Sequence, residues 1–171
     1  MVKAVFAGSF DPPTYGHIDI IERAKGIFEH LYVVVAFNRQ KSGLFNPEER
    51  IELLKKLLAP HPNVSVHLHD KLIVEFARAH DCSVLVRGVR SVPDFSYEFE
   101  LSIMNKGLDP KIETIFMPTD PKYFVLRSSA IKELAFFKGD LSSMVPPAVA
   151  SALRAKVEAE EGGRGSGIAH A

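Results

Sequence analysis

The chain has 171 residues, which is enough for one well-buried domain and too few for a second independent core. Its 46% hydrophobic content is ordinary for a globular protein, and its 21 basic and 21 acidic residues cancel, so no global field favours nucleic acid or an anionic membrane. A single cysteine, Cys82, excludes a disulfide framework; with no membrane-length apolar run and no leader-like start, we expect a reducing, cytoplasmic location.

The first predicted unit is a strand, a turn and a helix. Residues 2–7 form an apolar run typical of a buried strand, and apolar residues after position 17 recur at helical spacing. Between them lies GSFDPPTYGH, residues 8–17, whose glycines let the backbone approach a ligand and whose prolines stiffen the loop. Because the following helix presents free N–H groups, this turn predicts a phosphate site. The expected apolar face of the helix comprises Ile20, Ile21, Ala24, Ile27 and Phe28.

His17 falls in the first turn of this helix, four residues before Ile21 on the same face. Its ring could therefore donate a hydrogen bond to an anion held at the helix N-terminus. A histidine that caps the helix or packs locally is the alternative.

The second unit again pairs a strand with a helix. Residues 31–37 are continuously apolar, which indicates a strand buried on both faces and favours a parallel sheet. The polar loop 38–45 follows, and its charges are either solvated or ligand-binding. Asn46 as N-cap, Pro47 at the first helical position and Glu49 predict the start of a helix that ends before the prolines at 60 and 62.

Residues 64–68 alternate in polarity, as in a strand near a sheet edge, and residues 72–77 suggest a short helix. A buried strand over residues 83–86 comes next. Arg87 and Arg90 follow it, where open α/β sheets collect ligands, so they are either a phosphate clamp or loop charges.

A helix over residues 93–105 carries aromatic residues that suit core or interface packing. Residues 112–117 are the fifth predicted strand. Ser128 or Ser129 can cap a helix at 130–137, and that helix N-terminus could hold another phosphate.

The last predicted helix spans residues 146–160. Residues 161–171 are rich in glycine and are expected to be a disordered tail, so the domain is expected to span residues 1–160. Strands and helices alternate throughout, which predicts a single α/β domain with a doubly wound, Rossmann-like sheet of five parallel strands. The sequence contains neither GxGxxG nor GxxxxGK(S/T), which argues against dinucleotide redox chemistry and a P-loop NTPase.

Four stretches carry a family resemblance: GSFDPPTYGHIDII (8–21), NRQKSGLFNPEER (38–50), LVRGVRSVPDFSYEFELSIMN (85–105) and YFVLRSSAIKEL (123–134). The first resembles the (T/S)xxxxGH signature of the nucleotidylyltransferase superfamily. With RGVRSVPDFSYE, the chain resembles the bacterial phosphopantetheine adenylyltransferases over roughly residues 2–157.

The resemblance implies that AMP moves from ATP to 4′-phosphopantetheine, giving dephospho-coenzyme A and pyrophosphate, in the penultimate step of coenzyme A synthesis. It also implies Mg²⁺ as cofactor, a homohexamer, and coenzyme A as a feedback ligand. No nucleic-acid or membrane partner is expected.

The resemblance also implies roles for individual residues. Catalysis would fall to Ser9, His17, Lys41 and Arg90. The acceptor would contact Ser9, Lys41, Ile73 and Arg87. ATP would contact Ser9, Phe10, His17, Gly88, Val89, Arg90, Glu98, Tyr123, Phe124, Val125, Leu126, Arg127, Ser128 and Ser129. Ser9 stands where threonine is common, and Arg127 stands where a serine run would place serine.

The chemistry suits these residue types without the family label. The acceptor phosphate is already a nucleophile, so the site needs no general base, only in-line positioning and donors for growing negative charge. Transfer to another phosphate, such as nicotinamide mononucleotide or glycerol 3-phosphate, is the alternative enzyme, and RGVRSVPDFSYE argues against it. A regulatory nucleotide-binding module with a dead site is the other alternative. Retention of His17, Lys41, Arg87 and Arg90 argues against the module, and pyrophosphate release would decide.

Overall fold

A computed structural model of the chain describes residues 2–38, 42–123 and 127–165. Five strands form one sheet in the order β3-β2-β1-β4-β5, and every neighbouring pair is parallel. The predicted doubly wound sheet is therefore confirmed, with the alternating strand at its edge. The strands are β1 (Lys3–Gly8), β2 (His30–Ala36), β3 (Val64–His69), β4 (Val84–Val89) and β5 (Glu113–Pro118).

Helices cover both faces of the sheet. One face packs on the first two helices and the other on the third and fourth, while the last two helices form an outer layer against the second. The helices are α1 (Tyr15–Ala24), α2 (Pro47–Leu58), α3 (Ile73–Ala79), α4 (Val92–Leu108), α5 (Ser128–Phe136) and α6 (Pro147–Gly165), with a 3₁₀ turn at Pro121–Tyr123.

The central strand β1 is buried on both sides, as its continuous apolar run predicts. Ala4 and Phe6 face α1 and α2, whereas Val5 and Ala7 face α3. Because β1 and β4 are neighbours while the chain winds away from them in opposite directions, their carboxyl ends form the switch point at which such sheets bind ligands. Cys82 is buried, and burial raises the pKa of its thiol to about 11.

Several predicted boundaries were wrong. Helix α1 ends at Ala24, and Gly26 follows, whose N–H donates a short-range hydrogen bond to the Arg23 carbonyl. Ile27 therefore lies outside the helix and is 66% exposed. Strand β4 continues beyond position 86 to Val89, since its last residues pair with β5.

Helix α6 extends to Gly165, past the predicted end at 160. The remaining tail residues, 166–171, lie outside the described part of the chain. Within that part, no helix is both long and apolar enough to cross a bilayer.

Candidate active site

A cleft of about 610 Å³ opens at the carboxyl ends of β1 and β4. The turn after β1, the N-terminus of α1, the end of β4, the first turns of α4 and the start of α5 all contribute to its walls. The residues that line the cleft are Phe6, Ala7, Gly8, Ser9, Thr14, Gly16, His17, Ile20, Arg87, Gly88, Arg90, Pro93, Asp94, Tyr97, Glu98, Thr119, Arg127, Ser128 and Ser129.

His17 is fixed by the way α1 begins. Thr14 is the N-cap, and its hydroxyl accepts a hydrogen bond from the His17 backbone N–H at 3.4 Å. In return the Nδ1 atom of His17 accepts from the Thr14 backbone N–H at 3.0 Å. This is a capping box in which a histidine replaces the usual glutamate or glutamine, so the predicted alternative of a capping histidine is confirmed.

The capping bond determines which ring nitrogen of His17 carries a proton. Because a backbone N–H can only donate, Nδ1 must be unprotonated, and in the neutral ring Nε2–H is the donor. Burial, reinforced by the positive charge of Arg90, lowers the pKa of His17 to about 4. The ring thus presents a neutral donor to the cleft, which is suited to an anionic oxygen.

We expect NMR to show the His17 ring as the Nε2–H tautomer, uncharged until the pH approaches about 4. An unfolded chain would bind this proton near the ordinary pKa of 6.5, so the folded state loses stability as the pH falls from 6.5 towards 4. Ring ¹⁵N shifts recorded during a pH titration measure both properties, and loss of the signal in His17→Gln assigns it. A ring that titrates near 6.5 would contradict the capping geometry.

Arg87 reaches the cleft from β4 and is already oriented. Its Nε and Nη2 donate to the two carboxylate oxygens of Glu98 at 2.5 and 2.7 Å, and Nη1 donates to the Ala7 carbonyl at 2.7 Å. A guanidinium group has five N–H donors, so two remain for a ligand. Glu98 therefore fixes the orientation of Arg87, and the two remaining N–H groups could donate to an anion such as a phosphate.

Two further arginines make the cleft positive. Arg90 Nε donates to Asp94 at 2.7 Å, while the exposed side chain of Arg127 has no ion-pair or hydrogen-bond partner among the described residues. Three arginines face two carboxylates, Asp94 and Glu98, in the lining of the cleft. The excess positive charge favours the binding of a polyanion such as a nucleoside triphosphate.

The predicted capping of α5 by Ser128 or Ser129 was wrong. Arg127 occupies the N-cap position with no side-chain cap bond, and the Ser128 hydroxyl instead donates to the Pro12 carbonyl at 3.1 Å. The prediction failed because a capping serine must precede the helix, and these two serines are its first residues. The first turn of α5 is consequently left without a side-chain cap, with its positive dipole end at the cleft.

Of the other residues named from the resemblance, some line the cleft, Phe10 is buried beside His17, and the rest lie away from the lining of the cleft or outside the described residues. Ser9 and Gly88 line the cleft, and a Cβ at Gly88 would come within 3.1 Å of Ile20, so β4 approaches α1 closely there. Phe10 is fully buried with φ of 47° and lies against the His17 ring at 5.0 Å between centroids. Its side chain does not line the cleft, so only its backbone could contact a ligand there.

The remaining positions lie away from the lining of the cleft or outside the described chain. Val89 ends β4 and accepts from Thr119 N–H at 2.9 Å, Tyr123 stacks on Tyr15, and Ile73 begins α3. None of these three named residues lines the cleft. Lys41 and residues 124–126 lie outside the described residues.

Sequence reasoning assigned no role to Asp11, Thr14 or Arg50, although each lay within a quoted stretch. Asp11 and Arg50 are 7% and 6% exposed. Charged residues are seldom so buried unless they are paired, and the sequence holds no signal that pairs positions 39 residues apart. The spacing from Thr14 to His17 is that of a capping box. It could have been recognised from the sequence only if histidine had been accepted at the third helical position in place of glutamate or glutamine.

The described residues do not form a metal site of their own. No three histidine, cysteine, aspartate or glutamate side chains in residues 2–38, 42–123 and 127–160 lie close enough together to hold a metal ion. The two carboxylates of the cleft are each bound to an arginine.

The sequence profile of the cytidylyltransferase-like family matches residues 5–134. A phosphopantetheine adenylyltransferase from Caldanaerobacter subterraneus subsp. tengcongensis is 50% identical over 156 residues, which cover 91% of this chain and 98% of that protein. A solved structure of a candidate nicotinate-nucleotide adenylyltransferase from Vibrio parahaemolyticus matches with a TM-score of 0.64 and 18% identity, over 90% of this chain and 91% of that one. This last likeness is one of fold alone.

Proposed function

Because the chain belongs to the cytidylyltransferase-like family and, within it, to the phosphopantetheine adenylyltransferases, we propose that its cleft transfers AMP from ATP to 4′-phosphopantetheine. The products are dephospho-coenzyme A and pyrophosphate. Identity of 50% over nearly the whole of both chains is the observation that carries this proposal. The neutral donor of His17 in a positive cleft agrees with it.

The reaction needs little from the protein beyond positioning and charge stabilisation. An ionised oxygen of the acceptor phosphate attacks the α-phosphorus of ATP and forms a new P–O bond. The bond from the α-phosphorus to the bridging oxygen breaks, and its electron pair leaves with pyrophosphate. No proton has to be removed from the nucleophile, so the lack of a basic imidazole at His17 is no obstacle.

The residues of the cleft divide naturally between the two substrates. His17 Nε2–H donates to an α-phosphoryl oxygen, and Arg90 adds positive charge beside it. The N-terminus of α5, with Ser128 and Ser129, receives the outer phosphates of ATP. Arg87, oriented by Glu98, binds the acceptor phosphate through its two unused N–H groups.

A panel of acceptors tests the proposal. With ATP and Mg²⁺, phosphopantetheine should release pyrophosphate, while pantetheine should be almost inert because it lacks both the nucleophile and the charge that Arg87 binds. Nicotinamide mononucleotide and glycerol 3-phosphate serve as matched phosphate-bearing controls. Comparable turnover of pantetheine, or faster turnover of another acceptor, would refute the assignment.

We propose that the protein assembles as the homohexamer implied by its family, with α4 as an interface. None of the residues of this 17-residue helix is buried in the single chain. Seven large apolar side chains of α4 are exposed, and exposure on this scale marks an interaction surface. They are Val92, Phe95, Tyr97, Phe99, Ile103, Met104 and Leu108.

Light scattering after gel filtration should give the mass of six chains for the wild type. Ile103→Glu places a charge among these exposed apolar side chains, where Ile103 is 59% exposed in the single chain, and should release smaller species. Ile27→Glu is the matched control, because Ile27 is similarly exposed at 66% and lies outside α4. A hexamer that survives Ile103→Glu, or a monomeric wild type, would contradict this interface.

From the family resemblance alone, we also propose that Mg²⁺ is the cofactor and that coenzyme A is a feedback ligand. Because the described residues offer no metal site of their own, Mg²⁺ would arrive with the phosphates of ATP. Loss of turnover on chelation with EDTA, restored by added Mg²⁺, tests the first. Inhibition by coenzyme A competitive with phosphopantetheine tests the second.

A further inference from the structure

Two residues after Ser9, which lines the cleft, the chain holds a buried carboxylate that the proposed reaction does not use. Asp11 accepts hydrogen bonds from the backbone N–H groups of Phe45 at 2.9 Å and Leu44 at 3.2 Å. It also accepts from Lys132 Nζ at 2.8 Å and lies 3.7 Å from Arg50 Nε. Asp11, Arg50 and Lys132 are called the Asp11 cluster below.

Through its two cations the Asp11 cluster joins three separate parts of the chain. Arg50, on α2, donates to the Phe45 carbonyl at 2.7 Å and to the Ser9 carbonyl at 3.2 Å. It thereby holds the backbone of a residue that lines the cleft. Lys132 ties the same turn to α5.

The attachment to α5 is made at two points on one side of the helix. Lys132 lies four residues after Ser128, so both side chains project from the same face. Ser128 donates to the Pro12 carbonyl at 3.1 Å, and Lys132 binds the adjacent Asp11. Two adjacent residues of the turn before α1 are therefore fastened to the first turns of α5.

The charge state of Asp11 agrees with this arrangement. Burial on its own raises the pKa of the carboxyl, but the Lys132 hydrogen bond, the Phe45 N–H and the nearby Arg50 charge together bring it below its ordinary value. The carboxylate is thus ionised at neutral pH and its pair with Lys132 is charge-assisted. The Lys132 side chain is 29% exposed. If its ammonium group is removed, Asp11 is still paired with Arg50.

We propose that the Lys132–Asp11 ion pair sets the spacing between the N-termini of α1 and α5, and so positions the phosphates of ATP between His17 and the two serines of α5. The inference rests on the proposed function. Lys132 is a positioning residue in it, because its ammonium group acts through Asp11 and not by contact with phosphate.

Lys132→Met tests the proposal, because methionine keeps most of the side-chain bulk and removes the charge. We expect kcat/KM for ATP to fall by about 10- to 100-fold, since displacement of a bound group by about 1 Å has effects of that size. KM for phosphopantetheine should change little, and Lys132→Arg should restore most of the loss. Lys156→Met is the matched control: Lys156 pairs with Glu49 at 2.7 Å, is 32% exposed, and lies outside the lining of the cleft.

A double-mutant cycle separates positioning from direct phosphate contact. If Lys132 acts through Asp11, then Asp11→Asn should lower kcat/KM for ATP by as much as Lys132→Met does, or slightly more. The same is expected of the double variant Asp11→Asn/Lys132→Met. Additive losses, or an Asp11→Asn enzyme with wild-type ATP affinity, would overturn the proposal. So would wild-type kinetics in Lys132→Met, a result that needs no Asp11 variant to fold.

Equilibrium dialysis of ATP keeps this test independent of the acceptor. If the wild type binds ATP but releases no pyrophosphate with phosphopantetheine, the proposed function fails while the dialysis still measures the effect of Lys132→Met. Weaker ATP binding in Lys132→Met, with wild-type binding in Lys156→Met and Lys132→Arg, supports the positioning role. Equal ATP binding in all four proteins overturns it.

Discussion

Replacing His17 with alanine is expected to lower kcat by about 10²- to 10³-fold, the usual effect of removing one preorganised donor to a developing charge. In the proposed mechanism the Nε2–H of His17 meets an α-phosphoryl oxygen that is more negative in the transition state than in bound ATP, so KM for ATP should change less than kcat. Steady-state kinetics with ATP and phosphopantetheine measure both constants.

The same substitution removes an acceptor from the α1 cap, because the Thr14 backbone N–H loses its bond to Nδ1. This should cost about 1 kcal/mol of stability. Glu49→Ala is the matched control, since Glu49 occupies the equivalent position in the α2 capping box, where it accepts from Asn46 N–H at 2.8 Å. Both variants should melt earlier than the wild type, but only His17→Ala should be slow. A His17→Ala enzyme that is destabilised yet has wild-type kcat would leave the histidine a purely structural role.

Gly43→Ala is expected to destabilise the protein by about 2–4 kcal/mol, because it forces apart a buried ion pair. A Cβ at this position would overlap Nη2 of Arg50 and lie 2.9 Å from Oδ2 of Asp11. The guanidinium cannot move aside without giving up its bonds to the Phe45 and Ser9 carbonyls. Chemical denaturation measures the free energy of unfolding.

Gly107→Ala is the control for the Gly43 variant. A Cβ there meets nothing within 4 Å, and the residue is helical, so alanine should stabilise α4 by about 0.5–1 kcal/mol. A loss of stability in Gly43→Ala together with a gain in Gly107→Ala would distinguish steric crowding from helix propensity. A Gly43→Ala protein as stable as the wild type would mean that Arg50 can leave its place without cost.

Features that depend on neighbours in the sequence were predictable. The apolar run at 31–37 became β2, and the Asn46 to Glu49 pattern became a capping box with both bonds present. His17 was placed in the first helical turn for the same reason: turn chemistry and helical spacing are local properties.

Features that depend on long-range contacts were not predictable. The Asp11 cluster joins positions that are 39 and 121 residues apart, and no local pattern records such pairing. The hydrogen bond from the Ser128 hydroxyl to the carbonyl of Pro12, 116 residues earlier, was unpredictable for the same reason. The bidentate pairing of Arg87 and Glu98 likewise needed the fold that brings β4 and α4 together.

The capping box of α1 also bears on how this enzyme can evolve. A glutamate at position 17 would supply the same acceptor to Thr14 that most capping boxes use, so selection for folding alone would admit it. Its negative charge, however, would face the phosphates of ATP and remove the donor that Nε2–H provides. In a library of variants at position 17, glutamate should therefore be enriched by a screen for heat resistance and lost from a screen for growth that depends on the enzyme. At this one position, folding admits a negatively charged carboxylate, whereas the proposed catalytic role needs a neutral hydrogen-bond donor.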